Sequence, residues 1–236
     1  MPSKLDGPRL APQSGETPKK LVILLHGYGS NGDDLIGLAQ HWAPQLPDVQ
    51  WVSPNAPDPV PGAPMGYQWF PISNLDPKRI EEGAQSAAPI VDEFISEELE
   101  RYGLGPQDLV LSGFSQGCML SLHTGLRREA QIAGILGFSG ALPGGHKLKE
   151  EMRSKPPIRL IHGDQDPVLP LPFMLDAAQS IAAAGHGVDF HISAGIPHSI
   201  GPDGLELGLD FLRAAFSGRY REATPGGLHT RFARES

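Results

Sequence analysis

Ser115 in "GFSQG", Asp166 in "HGDQDPVLP" and His198 in "SAGIPHSIG" have the types and the order to build an activated nucleophile. A serine hydroxyl is a poor nucleophile at neutral pH; it needs a base within hydrogen-bond reach and an acid to orient that base. A serine lifted clear of a sheet on a sharp strand-to-helix turn also needs small residues two before and two after it. Gly113 and Gly117 occupy those positions, whereas "GFSGA" (Gly137 to Ala141) has the first glycine and lacks the last. The alternative for Ser115 is a turn serine that packs a strand against a helix.

On the turn reading the partners follow in the order serine, acid, histidine. Asp164 and Asp166 both lie in the loop after the run that ends at Ile161, and His198 lies in the loop after the last strand-like run. Loops of this kind leave the carboxyl ends of parallel strands, where open α/β sheets place their sites. Asp166 is preferred because it lies further into the loop and precedes Pro167, which restricts it to extended backbone; Asp164 remains the alternative. Of the other histidines, His191 falls in a strand, His123 in a helix and His186 in a glycine-flanked turn. His41, His146 and His229 have no strand-end placement, and His162 closes a strand and is expected to hydrogen-bond the loop that carries Asp166.

A tetrahedral intermediate carries an oxyanion that backbone amides must stabilise. The amide of Gln116, directly after the nucleophile, is one candidate; the amide of Tyr28, in the Gly-rich "LHGYGSNGDD" after the first long strand, is the other. That loop has neither the G-K-[ST] ending nor the G-x-G-x-x-G spacing of a phosphate cradle. His162, Asp164 and Asp166 match no metal-ligand spacing, so no metal is expected. Cys118 lies on the helix after the turn, not at its apex, and reads as a packed small residue.

These residues need a scaffold of strands that end at one edge. Largely apolar runs occur at Lys20 to Gly27, Val49 to Ala56, Asp108 to Gly113, Ile132 to Gly140, Ile158 to Asp164 and Val188 to Ser193. Strands apolar throughout are covered on both faces, which predicts a mostly parallel sheet between helices. Helices are expected at Arg79 to Tyr102, Gln116 to Arg128, Leu171 to Ala184 and Gly204 to Phe216, the first started by Asp76-Pro77 and stopped by Gly103. The stretch Pro57 to Asp76 is expected to be a loop whose Met65, Trp69 and Phe70 border the substrate pocket. Residues 1–19 and 217–236, polar and rich in Arg, Gly and Pro, are expected to be flexible extensions of one domain over 20–216.

Composition agrees with a globular protein. Hydrophobic residues make up 39% of the 236-residue chain, and 29 glycines and 24 prolines predict many loops. A net charge of −8 argues against nucleic acid and anionic membrane partners, which need clustered Lys and Arg. One cysteine excludes an intramolecular disulfide, and the first twenty residues contain no apolar run of a signal or membrane span. The expected location is the cytoplasm.

Taken together and in order, "LVILLHGYGSNGDD", "YQWFPI", "GFSQG", "LIHGDQDPVLP" and "PHSI" resemble the carboxylesterase and acyl-protein thioesterase family of α/β-hydrolases, in particular its bacterial esterases. The resemblance runs from about Lys20 to Phe216 and implies an α/β-hydrolase fold with no separate cap domain. It implies Ser115, Asp166 and His198 as the triad, Tyr28 and Gln116 as oxyanion donors, cofactor-free hydrolysis and a possible homodimer. The expected activity is hydrolysis of short- to medium-chain acyl esters through an acyl-enzyme. Acyl-protein thioester or lysophospholipid hydrolysis uses the same residues, and a non-catalytic binding scaffold is the alternative of another class. A serine-directed fluorophosphonate is expected to label the wild-type chain and Cys118→Ala equally; Ser115→Ala is expected to take no label, by intact-mass spectrometry.

Overall fold

The computed structural model describes residues 5–72, 74–220 and 228–230. Its elements, in chain order, are β1 (Arg9–Leu10), β2 (Lys20–Leu25), α1 (Gly32–Trp42), β3 (Val49–Val52), β4 (Asp58–Val60), β5 (Ala63–Gln68), α2 (Pro77–Tyr102), β6 (Leu109–Phe114) and α3 (Gln116–Arg127). There follow β7 (Gly134–Phe138), α4 (Leu148–Glu151), β8 (Ile158–Gly163), α5 (Pro172–Ala183), β9 (Val188–Ser193), α6 (Pro202–Phe216) and β10 (Leu228–Thr230). Eight strands form one sheet in the order β1-β3-β2-β6-β7-β8-β9-β10, parallel except for β1. The crossover from β3 back across β2 to β6 places the ends of β2 and β6 side by side, with Leu25 opposite Gly113.

The sheet is buried on both faces. Along β2, Leu21, Ile23 and Leu25 point to a core shared with α2, α3 and α5, while Val22 and Leu24 point to a second core built with Trp42 of α1 and Phe211 of α6. That alternation with no polar face explains why these strands read as continuous apolar runs. The expected strands and helices occur within a few residues of their expected ends. The Asp76 carboxylate accepts from the Lys78 and Arg79 amides, Pro77 opens α2, and Gly103 ends it in a left-handed conformation at φ 66°.

Several features depart from expectation. The stretch after β2 is not loop throughout: Asn31 caps the Asp34 amide and starts α1, with Asp33 and Asp34 in the first turn. The expected loop over 57–76 contains the antiparallel hairpin β4–β5, turning at Gly62 with φ 81°. The N-terminal extension packs on the sheet from residue 5 onward. Leu5 is buried, Arg9–Leu10 pairs with Trp51–Val52, and Arg9 joins Arg101 on the fully buried Glu98 carboxylate at 2.9 and 3.0 Å. A buried carboxylate without such partners would cost several kcal/mol, roughly 3–5, so the segment is tied down by charge and by pairing.

At the other end, the Tyr220 hydroxyl donates to Asp189 at 2.6 Å and its ring meets Phe211 edge-on, while β10 pairs with β9. The C-terminal tail therefore continues the sheet at Leu228–Thr230, and the rest of the expected extension, 221–227 and 231–236, lies outside the described residues. Among the described residues no helix is long and apolar enough to cross a membrane.

Burial holds His26, His123 and His162 below the usual imidazole pKa, His123 falling from 6.5 to about 4. The folded chain keeps these rings neutral, whereas the unfolded chain protonates them below about 6.5. The unfolded state therefore binds more protons as the pH falls, and folding stability is expected to decline from about pH 6.5 down to about pH 4. Urea midpoints across that window measure it, and His123→Gln is expected to flatten the slope.

Candidate active site

Ser115 joins β6 to α3 with φ 54° and ψ −115°, a left-handed conformation that costs a non-glycine residue about 1–3 kcal/mol. The turn is held by the Ser115 amide donating to the Phe138 carbonyl at 2.9 Å. Both flanking glycines are required by close approach. A Cβ on Gly113 would stand 2.3 Å from the Gly117 carbonyl, and one on Gly117 would stand 1.9 Å from the Leu25 carbonyl oxygen. Ser139, in the comparison stretch "GFSGA", also adopts a positive φ of 46°, but its hydroxyl is buried without a hydrogen-bond partner. No base serves it.

His198 does serve Ser115. Its Nε2 lies 3.0 Å from Ser115 Oγ and its Nδ1 lies 2.6 Å from Asp166 Oδ2. With the proton on Nδ1 donated to the carboxylate, the Nε2 lone pair faces the hydroxyl. The Phe114 ring packs 4.8 Å from the imidazole and helps fix its plane. Asp166 is buried, and its Oδ1 accepts from the Val168 and Leu169 amides at 2.9 and 2.8 Å.

The choice between the two aspartates follows from these contacts. Asp164 is exposed and turns the other way, accepting from the Gly195 amide at 2.7 Å. With the Gln165 amide on the Ile196 carbonyl at 3.1 Å, it ties the acid loop to the histidine loop. His162 braces the same loop as expected. Its Nε2 donates to the Leu169 carbonyl at 2.7 Å and lies 3.3 Å from Asp166 Oδ2. Among the described residues no group of three or more His, Cys, Asp or Glu side chains could hold a metal ion.

Gln116 opens α3, so its amide belongs to the helix N-terminus beside Ser115. Its buried side chain accepts from the Trp69 amide at 2.9 Å and donates to the Phe70 carbonyl at 2.7 Å. Tyr28 follows Gly27, where a Cβ would stand 3.3 Å from the Ser115 Cβ, so the β2 loop passes directly against Ser115. The hairpin holds this loop through the Gly29 amide on the Tyr67 carbonyl at 2.9 Å and the Tyr67 amide on the Ser30 carbonyl at 2.8 Å.

The three residues expected to border a pocket are not brought together. Trp69 and Phe70 are 3% and 2% exposed, whereas Met65, near the hairpin turn, is 76% exposed. Phe70 packs on α2, where a Cβ on Gly83 would strike its ring at 2.4 Å. Cys118 is buried against Gly137 and Gly140, and burial pushes its thiol up to about 12, far from a reactive thiolate. Missing from the sequence reading is His26, fully buried at the end of β2. Its signal was the repeat of His-Gly at two strand ends, His26-Gly27 and His162-Gly163.

A mostly parallel sheet whose central strand ends in a strained serine turn, with an aspartate and a histidine on later loops, defines an α/β-hydrolase. The model of the phospholipase/carboxylesterase family matches residues 11–216, and the chain belongs to that family. It is 29% identical to the esterase YpfH of Escherichia coli over 91% of this chain and 92% of that protein. It is 30% identical to acyl-protein thioesterase 1 of Saccharomyces cerevisiae, covering 84% of this chain and 94% of that one. The crystal structure of esterase PE8 is 44% identical and superposes with a TM-score of 0.86, over 90% of this chain and 99% of that chain. Asp166→Asn is expected to lower kcat on p-nitrophenyl esters by about 10⁴, by analogy with other triads, and Asp164→Asn by less than about tenfold. Steady-state kinetics on both variants checks the assignment.

Proposed function

We propose that the chain is a serine esterase that hydrolyses carboxylic esters of short to medium acyl chains. The observation that carries this reading is the continuous relay from Ser115 Oγ through His198 to the buried Asp166. In acylation His198 Nε2 takes the Ser115 proton while Oγ bonds to the substrate carbonyl carbon, and the carbonyl electrons move to oxygen. The amides of Tyr28 and Gln116 stabilise that oxyanion. Collapse expels the alcohol, which receives its proton from His198; Asp166 stays ionised and holds the tautomer. A water molecule then repeats the sequence on the acyl-enzyme, releasing the acid and restoring Ser115.

We assign the acyl group to a cavity of about 590 Å³ in place of the stretch that carries Trp69 and Phe70. Its apolar wall includes Ile80, Ala141, Leu142, Phe173 and Ala177. Ala141 of this wall follows Gly140, where a Cβ would stand 3.3 Å from the Ser115 carbonyl oxygen. The Lys147–Glu81 ion pair, at 2.6 Å, is part of its lining and marks a polar limit to the apolar wall. Thioester hydrolysis is the second reading, favoured by the likeness to the yeast acyl-protein thioesterase; lysophospholipid substrates would use the same residues. A cytoplasmic location and a homodimer complete the proposal.

A series of p-nitrophenyl esters and matching thioesters is expected to give a kcat/KM maximum at short to medium acyl length. Leu142→Trp is expected to move that maximum to shorter chains by several carbons. An unchanged optimum would remove the cavity from the substrate path, and long-chain thioesters hydrolysed fastest would favour the second reading.

A further inference from the structure

His26 takes no part in the relay, yet it is fully buried beside the nucleophile. The Ala56 amide, which can only donate, points at His26 Nε2 at 3.0 Å. That nitrogen therefore carries the lone pair and the proton sits on Nδ1. Nδ1 lies 2.8 Å from the Gly27 carbonyl oxygen and donates to it. The Ser30 amide occupies the same oxygen at 3.2 Å, closing the turn. In a planar trans peptide the carbonyl and the following N–H point in opposite directions. Fixing the Gly27 carbonyl toward the His26 ring thus fixes the Tyr28 N–H away from it, in a segment that lies against Ser115.

The same histidine is linked through Trp69 to the side chain of Gln116, whose backbone amide is the other candidate donor. Trp69 Nε1 donates to the His26 carbonyl at 2.9 Å, and the Trp69 amide donates to the Gln116 side chain. The two rings lie 5.4 Å apart. We propose that His26 is a positioning residue that orients the Gly27–Tyr28 peptide as an oxyanion donor and, through Trp69, sets its register to Gln116. This rests on the reading that the Tyr28 amide serves the oxyanion.

The test uses full-length His26→Asn and His26→Gln. Asn places a donor nitrogen one bond from Cγ, where Nδ1 stood, and keeps the bond to Gly27. Gln reaches toward the Nε2 position and meets Ala56 instead. His26→Gln is expected to lower kcat about 10- to 100-fold with KM within about twofold, because a misplaced donor costs up to the loss of one donor, about 10²–10³. His26→Asn is expected to return to within about threefold of wild type.

The ratio of ester to thionoester hydrolysis supplies a reading that partial unfolding does not move, since it is independent of the active fraction. Sulfur is a weaker hydrogen-bond acceptor, so an aligned donor discriminates against it. The ratio is expected to shrink in His26→Gln and to recover in His26→Asn. Equal losses on both substrates, or Asn no better than Gln, would overturn the role of His26. If Ser115→Ala itself keeps activity, the serine reading fails first; if Ser115→Ala is inactive and His26→Gln keeps wild-type kcat and ratio, this inference alone is wrong.

Discussion

The distance between α3 and the end of β2 constrains the rest of the molecule. A Cβ on Gly117 would come within 1.9 Å of the Leu25 carbonyl oxygen, so the helix after Ser115 is packed directly on the neighbouring strand's terminus. That packing forces Ser115 into a left-handed turn, and the turn in turn needs the Phe138 carbonyl of β7 to hold its amide. The sheet order is what makes this possible, because β2 and β7 lie on either side of β6. The strain is local, and the two apolar cores on either face of the sheet are large enough to maintain it.

Around that turn, the site is held by backbone groups more than by charge. Asp166 accepts from two amides before it meets His198, and Asp164 ties the acid loop to the histidine loop. Neutral buried histidines stand at two strand ends, His26 under the Gly27–Ser30 loop and His162 under the Asp166 loop, each committing ring nitrogen to a loop backbone atom. Burial lowers the pKa of both, which keeps each ring neutral at neutral pH, and the backbone partners decide which ring nitrogen carries the proton. A loop that carries function is thereby given the rigidity of the strand it leaves.

Much of this scaffold was legible in the residue order. Apolar runs without alternation marked the strands, Asp76-Pro77 and Gly103 marked the ends of α2, and two glycines around a serine marked the turn. The helix α1 was missed because its cap, Asn31, lies in a Gly-rich stretch that also serves as a loop, and its polar first turn resembles one. The hairpin was missed because its strands are short and rich in Pro and Gly, residues that propensity assigns to turns. The order of residues 5–19 came from an ion pair between Arg9 and Glu98, 89 positions apart, which no local pattern encodes.

By itself the sequence determined the sheet, the serine turn and the order in which Ser115, Asp166 and His198 follow one another, since periodicity and turn chemistry are local properties of the chain. The tertiary structure alone decided which aspartate faces His198, that Trp69 and Phe70 are buried while Met65 is exposed, and that His26 is joined to the surroundings of Ser115. Those outcomes depend on the direction in which side chains leave loops that are distant in the chain and adjacent in space. Hydrogen-bond direction at separations of 30 to 83 residues sets them, and it exists only once the strands are paired.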